Sequence, residues 1–241
     1  MSEITGSREA APASGSAARA VLQAGQWFRS LPASLQDWLL AQGALRALSP
    51  GERLFSRGDP PCGLYGVVQG AIRVTGVSIE GKEALLTLVE PPQWFGEIAL
   101  FDGLSRTHDA ISDGQAQVLH VSQLALEGLL SSEPATWRFF GMLLAHKLRL
   151  TFIAIEETAL LPAAVRLARR LLLIAEDYGE RTRDERRRIS VRQEQLAMML
   201  SLSRQTTNQI LRELETQGIA RLNRGQIEIL DLPRLRVAAA R

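Results

Sequence analysis

Residues 190–218, with the sequence SVRQEQLAMMLSLSRQTTNQILRELETQG, decide the fold of the C-terminal part of the chain. Ser190 and Gln193 have the S-x-x-Q spacing of a capping box, which predicts the start of a helix. Ser203 is placed to cap a second helix, and Gly218 is placed to end it. The pattern therefore predicts two short helices joined by a tight turn.

The second of these helices has one buried face and one polar face. The buried side chains recur at steps of three and four residues, which is the period of a helical stripe. They are Thr207, Ile210, Leu211 and Leu214. The opposite face has no carboxylate before Glu213, and it carries Arg204, Gln205, Asn208, Gln209 and Arg212. Arginine bonds guanine bidentately and Asn or Gln bonds adenine, so this face suits a DNA major groove. The alternative is an ordinary amphipathic helix with a solvated outer face.

A hairpin is predicted directly after the two helices. Residues 219–222 and 226–230 are short β-prone runs, and the NRG sequence at 223–225 is a turn signal. A helix-turn-helix followed by a hairpin is a winged helix, which strengthens the DNA-binding interpretation.

Charge is distributed unevenly along the 241 residues, although the net charge is only +2. Residues 162–241 hold 16 Lys and Arg against 10 Asp and Glu, whereas residues 1–161 hold 12 against 16. A basic C-terminal third behind an acidic front fits a nucleic-acid-binding module joined to a second domain. The length allows two modest domains, each with its own core.

The chain has one cysteine, Cys62, which excludes an internal disulfide and a four-cysteine iron–sulfur cluster. Residues 1–26 are rich in Ala, Ser and Gly and lack the apolar core of a signal peptide, so we expect a disordered tail there. No run approaches the ~20 apolar residues of a membrane span. We therefore expect a cytoplasmic protein that does not bind membranes.

Two further segments have distinct patterns. Residues 27–48 suggest helix in two pieces, broken at Leu31-Pro32, with residues 33–43 as a capped segment. From residue 48 to about 122, glycine-punctuated apolar runs of four to eight residues predict a small antiparallel β-barrel or roll.

A long helix is expected over residues 134–161. Five positions step by four, three, four and three residues, the spacing of a two-helix seam. They are Leu144, Leu148, Thr151, Ile155 and Thr158. Further apolar positions, expected to rest on the barrel, are Phe139, Leu143, Leu150 and Ile153. The helix therefore suits dimerisation, and the alternative is a helix buried within one subunit. Pro162 ends it, and RTRDERRR at 181–188 suggests a solvated connector or a phosphate-facing strip.

The segment WFGEIALFDGLSRTHDA, residues 94–110, has the character of a ligand site. Gly96 lets backbone approach a ligand closely, because it lacks a Cβ. Glu97 is an acceptor for sugar hydroxyls, and Arg106 with Thr107 can clamp a phosphate. The alternative is a Glu97–Arg106 ion pair that only holds the loop.

The order of elements, together with FGEIALF, SRT, SVRQEQLA, LSRQTTNQILRELETQG and the wing, resembles the CRP/FNR family of bacterial transcription regulators. The match runs from about residue 48 to residue 230. The resemblance implies an α+β fold with an N-terminal cyclic-nucleotide-binding-like antiparallel β-roll, a long central dimerisation helix and a C-terminal winged helix-turn-helix. It implies domain bounds of 1–26 for the tail, 27–133 for the sensor, 134–161 for the helix and 162–241 for the DNA-binding domain.

The resemblance also implies roles for individual residues. Cyclic-nucleotide-binding positions would be Gly96, Glu97, Ile98, Arg106, Thr107 and Thr151. DNA-binding positions would be Ser203, Arg204, Gln205, Thr206, Asn208, Gln209 and Arg212. Two departures stand out: Phe152 replaces the serine common beside the adenine-contacting threonine, and Gln205 replaces a glutamate. The first leaves adenine recognition, and with it the choice of nucleotide, open; from the second we expect an altered DNA half-site.

Together these features predict a homodimeric, sequence-specific DNA-binding transcription regulator that is not an enzyme. Its effector would be a cyclic nucleotide, cyclic AMP or else cyclic GMP, with no metal and no iron–sulfur cluster. Its partners would be palindromic double-stranded DNA, a second copy and RNA polymerase. Alternatives are a ligand-independent member whose roll is only a dimer scaffold, and a sensor of haem through His108, His120 or His146, or of another small molecule. No nucleophile–base pair or H-E-x-x-H spacing supports an enzyme.

Overall fold

The computed structural model describes residues 15–81, 83–176, 188–223 and 225–240. It is an α+β fold in which N-terminal helices cover a β-roll, a long helix leads away from it, and a winged helix-turn-helix follows. None of the helices in these four ranges is long and apolar enough to cross a membrane.

Three helices precede the roll: α1 (Gly15–Leu22), α2 (Gln26–Ser30) and α3 (Ala33–Gln42). The prediction of a disordered tail is wrong for residues 15–26. Ala18 and Leu22 are fully buried against the same apolar cluster as Trp27, and this burial holds α1 on the roll. Residues 1–14 lie outside the described part of the chain.

The roll consists of eight strands in two antiparallel sheets. In chain order these are β1 (Ala44–Leu48), β2 (Arg53–Phe55), β3 (Gly63–Gln69), β4 (Ile72–Val77), β5 (Glu83–Val89), β6 (Trp94–Phe95), β7 (Asp109–Ser112) and β8 (Ala116–Ser122), with the short helix α4 (Ile98–Asp102) between β6 and β7. One sheet has the order β1-β8-β3-β6 and the other β2-β7-β4-β5. The expected roll is confirmed, but helix was wrongly expected for the segment that forms β1, since Gly43 ends α3 and Ala44–Leu48 pair along β8.

Aromatic side chains fill the space between the sheets. Phe55, Tyr65 and Phe95 contact one another there, with ring centroids 5.3 to 6.1 Å apart. A second aromatic group, in which Phe28 stacks on Trp94 at 5.6 Å, joins the N-terminal helices to the outer surface of the roll. The strand β6 therefore lies between two packed layers, which fixes the segment that follows it.

The roll is followed by α5 (Gln123–Ser132), a 3-10 turn (Pro134–Thr136) and α6 (Trp137–Leu160). Near its start α6 buries Phe140 and Leu143 against the roll. Two apolar seam positions remain exposed to solvent in the single chain, Leu148 at 51% and Ile155 at 60%. The alternative of a helix buried within one subunit is therefore wrong, and so is the expectation that Ile153, at 48% exposure, rests on the roll.

The C-terminal domain contains α7 (Ala163–Ala175), β9 (Arg188–Ile189), α8 (Gln193–Met199), α9 (Arg204–Thr216), β10 (Ala220–Asn223), β11 (Gln226–Ile229) and α10 (Leu232–Ala240). The winged helix-turn-helix is confirmed, and the wing has a third strand, because β9 pairs with β11. Asn223 pairs with Gln226, so Asn223 belongs to β10 and not to the predicted turn. The predicted connector 181–188 lies outside the described residues except for its last position, which is in β9.

The start of α8 differs from the prediction. Ser190 is not its cap; Arg192 precedes the helix, and its backbone N–H donates to the Oε1 of Gln195 at 2.8 Å. Strand β9 keeps residues 188–189 in the wing sheet, so the helix begins only after Arg192. The cap of α9 is as predicted, since the Oγ of Ser203 accepts the backbone N–H of Thr206 at 3.0 Å. Gly218, at φ 69°, follows its C-terminus.

The two domains pack against each other. Leu85 and Leu88 of β5, each 3% exposed, belong to the same apolar cluster as Leu196 of α8 and Leu211 of α9. A strand of the roll thus contributes to the core of the C-terminal domain.

Candidate ligand pocket and DNA-reading surface

A cleft of about 1110 Å³ lies between the roll, α6 and the C-terminal domain. All six residues predicted to bind a ligand line it: Gly96, Glu97, Ile98, Arg106, Thr107 and Thr151. The first five come from the segment after β6, and the sixth comes from the face of α6 that passes over it. The structure therefore brings together positions that are far apart in the sequence.

Gly96 is required at the turn after β6. Its φ is 103°, in a region that L side chains rarely adopt. A Cβ built there would lie 2.8 Å from the carbonyl oxygen of Gly63. A side chain at position 96 would therefore separate these two backbone segments.

Glu97 is almost fully buried, with 1% exposure, and its partner is Lys147 of α6. The Nζ of Lys147 donates to the Oε2 of Glu97 at 2.8 Å. The alternative of a Glu97–Arg106 ion pair is therefore wrong. Lys147 was not predicted, although it lies one helical turn before Thr151 on the same face of α6. This ion pair is a direct polar link between the roll and the long helix.

Arg106 is 5% exposed and held by protein groups on several sides. Its Nη1 donates to the carbonyl oxygen of Gly96 at 2.7 Å, and its Nη2 to that of Gly63 at 2.6 Å. The Sγ of Cys62 accepts from Nη2 at 3.0 Å and from Nε at 3.3 Å. The guanidinium also lies 4.4 Å from the centroid of the Phe55 ring. In this arrangement Arg106 links the backbone at Gly63 to the backbone at Gly96, at the lining of the cleft.

The neighbours of Arg106 form a packed group. Tyr65 stacks on His120 at 4.5 Å, and its Oη lies 3.2 Å from the Sγ of Cys62. Burial, followed by the hydrogen bond with Cys62, raises the pKa of Tyr65, so its phenol is neutral. The Nε2 of His120 is 2.7 Å from the carbonyl oxygen of Cys62. His120 is therefore part of the packed group around Arg106.

The remaining predicted positions are more exposed. Thr107 is exposed, and its Oγ1 lies 2.9 Å from the Nδ1 of His108. Burial, and then the charge of Arg57, lower the pKa of His108. Thr151 donates its hydroxyl to the carbonyl oxygen of Lys147 at 2.9 Å. Among the residues the structure covers, no three His, Cys, Asp or Glu side chains are grouped to hold a metal ion.

Phe152, which departs from the family pattern, does not line the cleft and is 62% exposed. The positions of the predicted seam, Leu148 and Ile155 among them, do line the cleft. Phe152 therefore offers no hydroxyl and no stacking surface to a molecule in the cleft of the single chain.

The candidate DNA-reading surface is the outer face of α9. Thr207, Ile210, Leu211 and Leu214 are buried as predicted. The exposed side chains border one shallow groove, and they include Gln205, Asn208, Gln209 and Arg212. Ser203 and Thr206 are hydrogen bonded to each other at the cap, with hydroxyls 2.8 Å apart.

Carboxylates contact two of the reading side chains. Arg204 is paired with Glu194 of α8, across the turn of the helix-turn-helix. The Nε2 of Gln209 donates to the Oε1 of Glu213 at 3.2 Å. Glu194 was missed by the sequence analysis because its partner lies on a different helix.

Comparison with known proteins agrees with this geometry. The family profile of the cyclic nucleotide-binding domain matches residues 45–133, and that of the Crp-like helix-turn-helix domain matches residues 165–238. The cAMP-activated global transcriptional regulator CRP of Haemophilus influenzae is 28% identical over 184 residues, which cover 76% of this chain and 82% of the relative. The chain belongs to the CRP/FNR family of transcription regulators.

Solved structures of other proteins share the fold of this family member. FixK2 from Bradyrhizobium japonicum superposes with a TM-score of 0.71 at 21% identity, over 81% of this chain and 96% of that one. The c-di-GMP-responsive global regulator CLP of Xanthomonas campestris gives a TM-score of 0.65 at 20% identity, over 83% and 100%. The chain is thus a regulator with a cyclic nucleotide-binding domain and a DNA-binding helix-turn-helix domain, and its relatives are regulators rather than enzymes.

Proposed function

We propose that this regulator is a homodimer that binds palindromic DNA under the control of a cyclic nucleotide held in the cleft, with cyclic AMP as the favoured effector and cyclic GMP as the alternative. The observation that carries the proposal is the Glu97–Lys147 contact at 2.8 Å. It joins the predicted sugar acceptor to the helix that leads to the DNA-binding domain. RNA polymerase would be the partner of the DNA-bound dimer.

The ligand assignment is supported by the positions of the acid and the glycine. Glu97 is a buried acceptor at the cleft, and Gly96, whose positive φ turns the chain after β6, lines the cleft beside it. A hydroxyl-bearing ligand would share Glu97 with Lys147, and so would shift α6 relative to the roll. The H. influenzae relative is named for activation by cAMP, which favours that nucleotide.

Dimerisation is supported by the exposed apolar side chains along one length of α6. Leu148, Phe152, Ile155 and Leu160 are 51%, 62%, 60% and 71% exposed in the single chain. Leaving these apolar side chains in contact with water is unfavourable, and packing against α6 of a second copy would bury them. Two reading helices must enter grooves about 34 Å apart, so the junction at Pro162 would set their spacing. For this division we propose a roll domain that includes the N-terminal helices from α1 and ends at residue 133, a dimerisation helix at 134–161 and a DNA-binding domain at 162–241.

One observation favours a second candidate, a family member that binds DNA without a nucleotide. Arg106 donates to two carbonyl oxygens and one sulfur of the protein, which uses most of its five N–H donors. A phosphate would have to replace some of these bonds. In this alternative the roll serves as a scaffold for the dimer.

The test is isothermal titration of the purified chain with cyclic AMP, cyclic GMP, cyclic di-GMP and haem, followed by DNA binding with and without each molecule that binds. Cyclic AMP should bind and should tighten binding to a palindromic duplex selected by the protein from a random library. Equal DNA affinity with and without every ligand would favour the scaffold candidate. Failure to bind any duplex would contradict the regulator itself.

A further inference from the structure

The turn between β7 and β8 carries an acid that contacts the DNA-binding domain. Asp113 follows β7, and its side chain is 15% exposed. The Nη2 of Arg192 donates to its Oδ1 at 2.8 Å, and the Nε2 of Gln195 donates to its Oδ2 at 2.9 Å. Both carboxylate oxygens are therefore bonded to the start of α8, which is the first helix of the helix-turn-helix.

The contact is reinforced from both domains. Arg73 of β4 places its Nε 3.3 Å from the Oδ1 of Asp113, and the backbone N–H of Asp113 donates to the carbonyl oxygen of Ala71 at 2.8 Å. On the other side, Gln195 is 4% exposed and its Oε1 accepts the backbone N–H of Arg192. The carboxylate is thus fixed on the roll, and the two side chains that bind it are fixed to each other.

An apolar contact lies beside this polar one. Leu85 and Leu88 of β5 are buried in the cluster that contains Leu196 of α8. Together the two contacts hold the helix-turn-helix against the sheet β2-β7-β4-β5 in one orientation.

Arg192 is also placed to contact DNA. The first helix of a helix-turn-helix crosses the phosphate backbone when the second lies in the major groove. Arginine side chains supply many of the phosphate contacts that give such domains their affinity. Arg192 lies at the start of this first helix, and its side chain is 59% exposed.

We propose that the Asp113 carboxylate competes with a DNA phosphate for Arg192. It thereby holds the helix-turn-helix on the roll in a position that binds DNA weakly. A phosphate that approached Arg192 in this arrangement would meet a second negative charge bonded to the same guanidinium. Like charges at such a distance repel, so DNA must displace Asp113 before Arg192 can contribute. This inference rests on the DNA-binding part of the proposed function and names the group of the sensor that restrains it.

The experiment compares Asp113→Asn, Arg192→Gln and the double variant, as full chains, for binding to a fluorescein-labelled duplex of arbitrary sequence and about 30 base pairs, long enough for two half-sites one turn apart. Phosphate contacts are independent of sequence, so no target site is needed. D113N should bind about two- to tenfold more tightly than the wild type, the range expected for removing one charged hydrogen-bonded pair. R192Q should bind more weakly, and adding D113N to R192Q should change nothing.

The salt dependence distinguishes competition from a general effect on structure. Between about 50 and 200 mM salt, the slope of log K against log[salt] should be steeper for D113N than for D113N/R192Q by about 0.9, the contribution of one phosphate contact. Asp37→Asn is the matched control, because Asp37 is also ion-paired to an arginine and its loss changes the net charge equally, but it lies on α3. D37N should leave the affinity within twofold of the wild type.

Several results would overturn the inference. It fails if D113N binds no more tightly than the wild type, if the gain persists in R192Q, or if D37N gives the same gain. Asp113→Ser provides a second substitution at the turn, and it should reproduce the gain. A wild-type chain that binds no duplex would contradict the proposed function, whereas equal binding by the wild type and both Asp113 variants would contradict only the competition.

Discussion

Removing the Lys147 side chain should destabilise the fold, because it leaves the Glu97 carboxylate buried without its counter-charge. The Glu97 side chain is 2% exposed and that of Lys147 is 35% exposed. Breaking a fully buried pair costs about 3–5 kcal/mol, whereas an exposed pair contributes about 0.2–1 kcal/mol. Since only one partner here is buried, we expect Lys147→Ala to lower the free energy of unfolding by about 1–3 kcal/mol.

The measurement is urea denaturation followed by tryptophan fluorescence, with Arg149→Ala as the matched control. Arg149 is exposed and lies on the same helix. Its replacement by alanine also removes one cation from α6, but it leaves no buried acid without a partner. We expect a change within about 0.5 kcal/mol for that control.

A double-mutant cycle isolates the pair itself. Glu97→Gln, Lys147→Met and the double variant should show a coupling of about 1 kcal/mol or more, because the double variant removes both charges together. If K147A and R149A were equally stable, or if the coupling were zero, the contact would contribute nothing to the fold. The link between the roll and α6 would then have to be sought elsewhere.

Four further changes have defined outcomes. Arg106→Leu should lower the free energy of unfolding by about 2–4 kcal/mol in urea titration, because two backbone carbonyls lose their donors; wild-type stability would show that these bonds are dispensable. Arg204→Ala should cost about 1–3 kcal/mol of binding at one base step in each half-site, measured against a panel of substituted duplexes, and a uniform loss across all sequences would instead indicate a phosphate contact. Ser203→Ala should lower stability by about 1 kcal/mol through loss of the helix cap, with Ser203→Thr as the conservative control that should retain most of it. Burial and Arg57 lower the pKa of His108, so the unfolded chain binds a proton at this residue at higher pH than the folded chain does. The free energy of unfolding should therefore fall as the pH drops through 6.5. In denaturation curves measured over a pH series, His108→Gln should reduce this dependence.

Local sequence signals predicted the reading helix well. The stripe from Thr207 to Leu214 follows from the helical period, and the cap at Ser203 follows from the chemistry of a free hydroxyl beside unpaired N–H groups. Both depend on residues within one or two helical turns. Such features can be predicted from a single sequence.

The start of α8 shows where local signals are insufficient. Ser190 fits a capping box, but strand β9 occupies the preceding residues through pairing with β11, almost forty positions later in the chain. The sheet pairing therefore decided where the helix begins. The sequence predicted no specific contact for Gln195. In the structure its Oε1 accepts the backbone N–H of Arg192, and its Nε2 donates to Asp113 of the roll.

The candidate ligand site was predicted by resemblance and spacing, but its internal bonds were not. The six expected residues line one cleft, whereas Glu97 is paired with Lys147 and Arg106 with backbone groups around Gly63. These partners are forty or more residues away along the chain. Periodicity carries no information about such contacts, and only the folded backbone specifies them.

The sharing of Leu85 and Leu88 between the two domains has a consequence for how such regulators can be recombined. A chimera that joined this C-terminal domain to the sensor of another family member would replace two leucines that help to fill its interior. The reading domain would then fold with a gap on one side unless the new β5 carried side chains of similar volume at the same positions. The unit that can be exchanged between regulators is therefore larger than the helix-turn-helix itself. It also includes Leu85 and Leu88 of strand β5 in the roll.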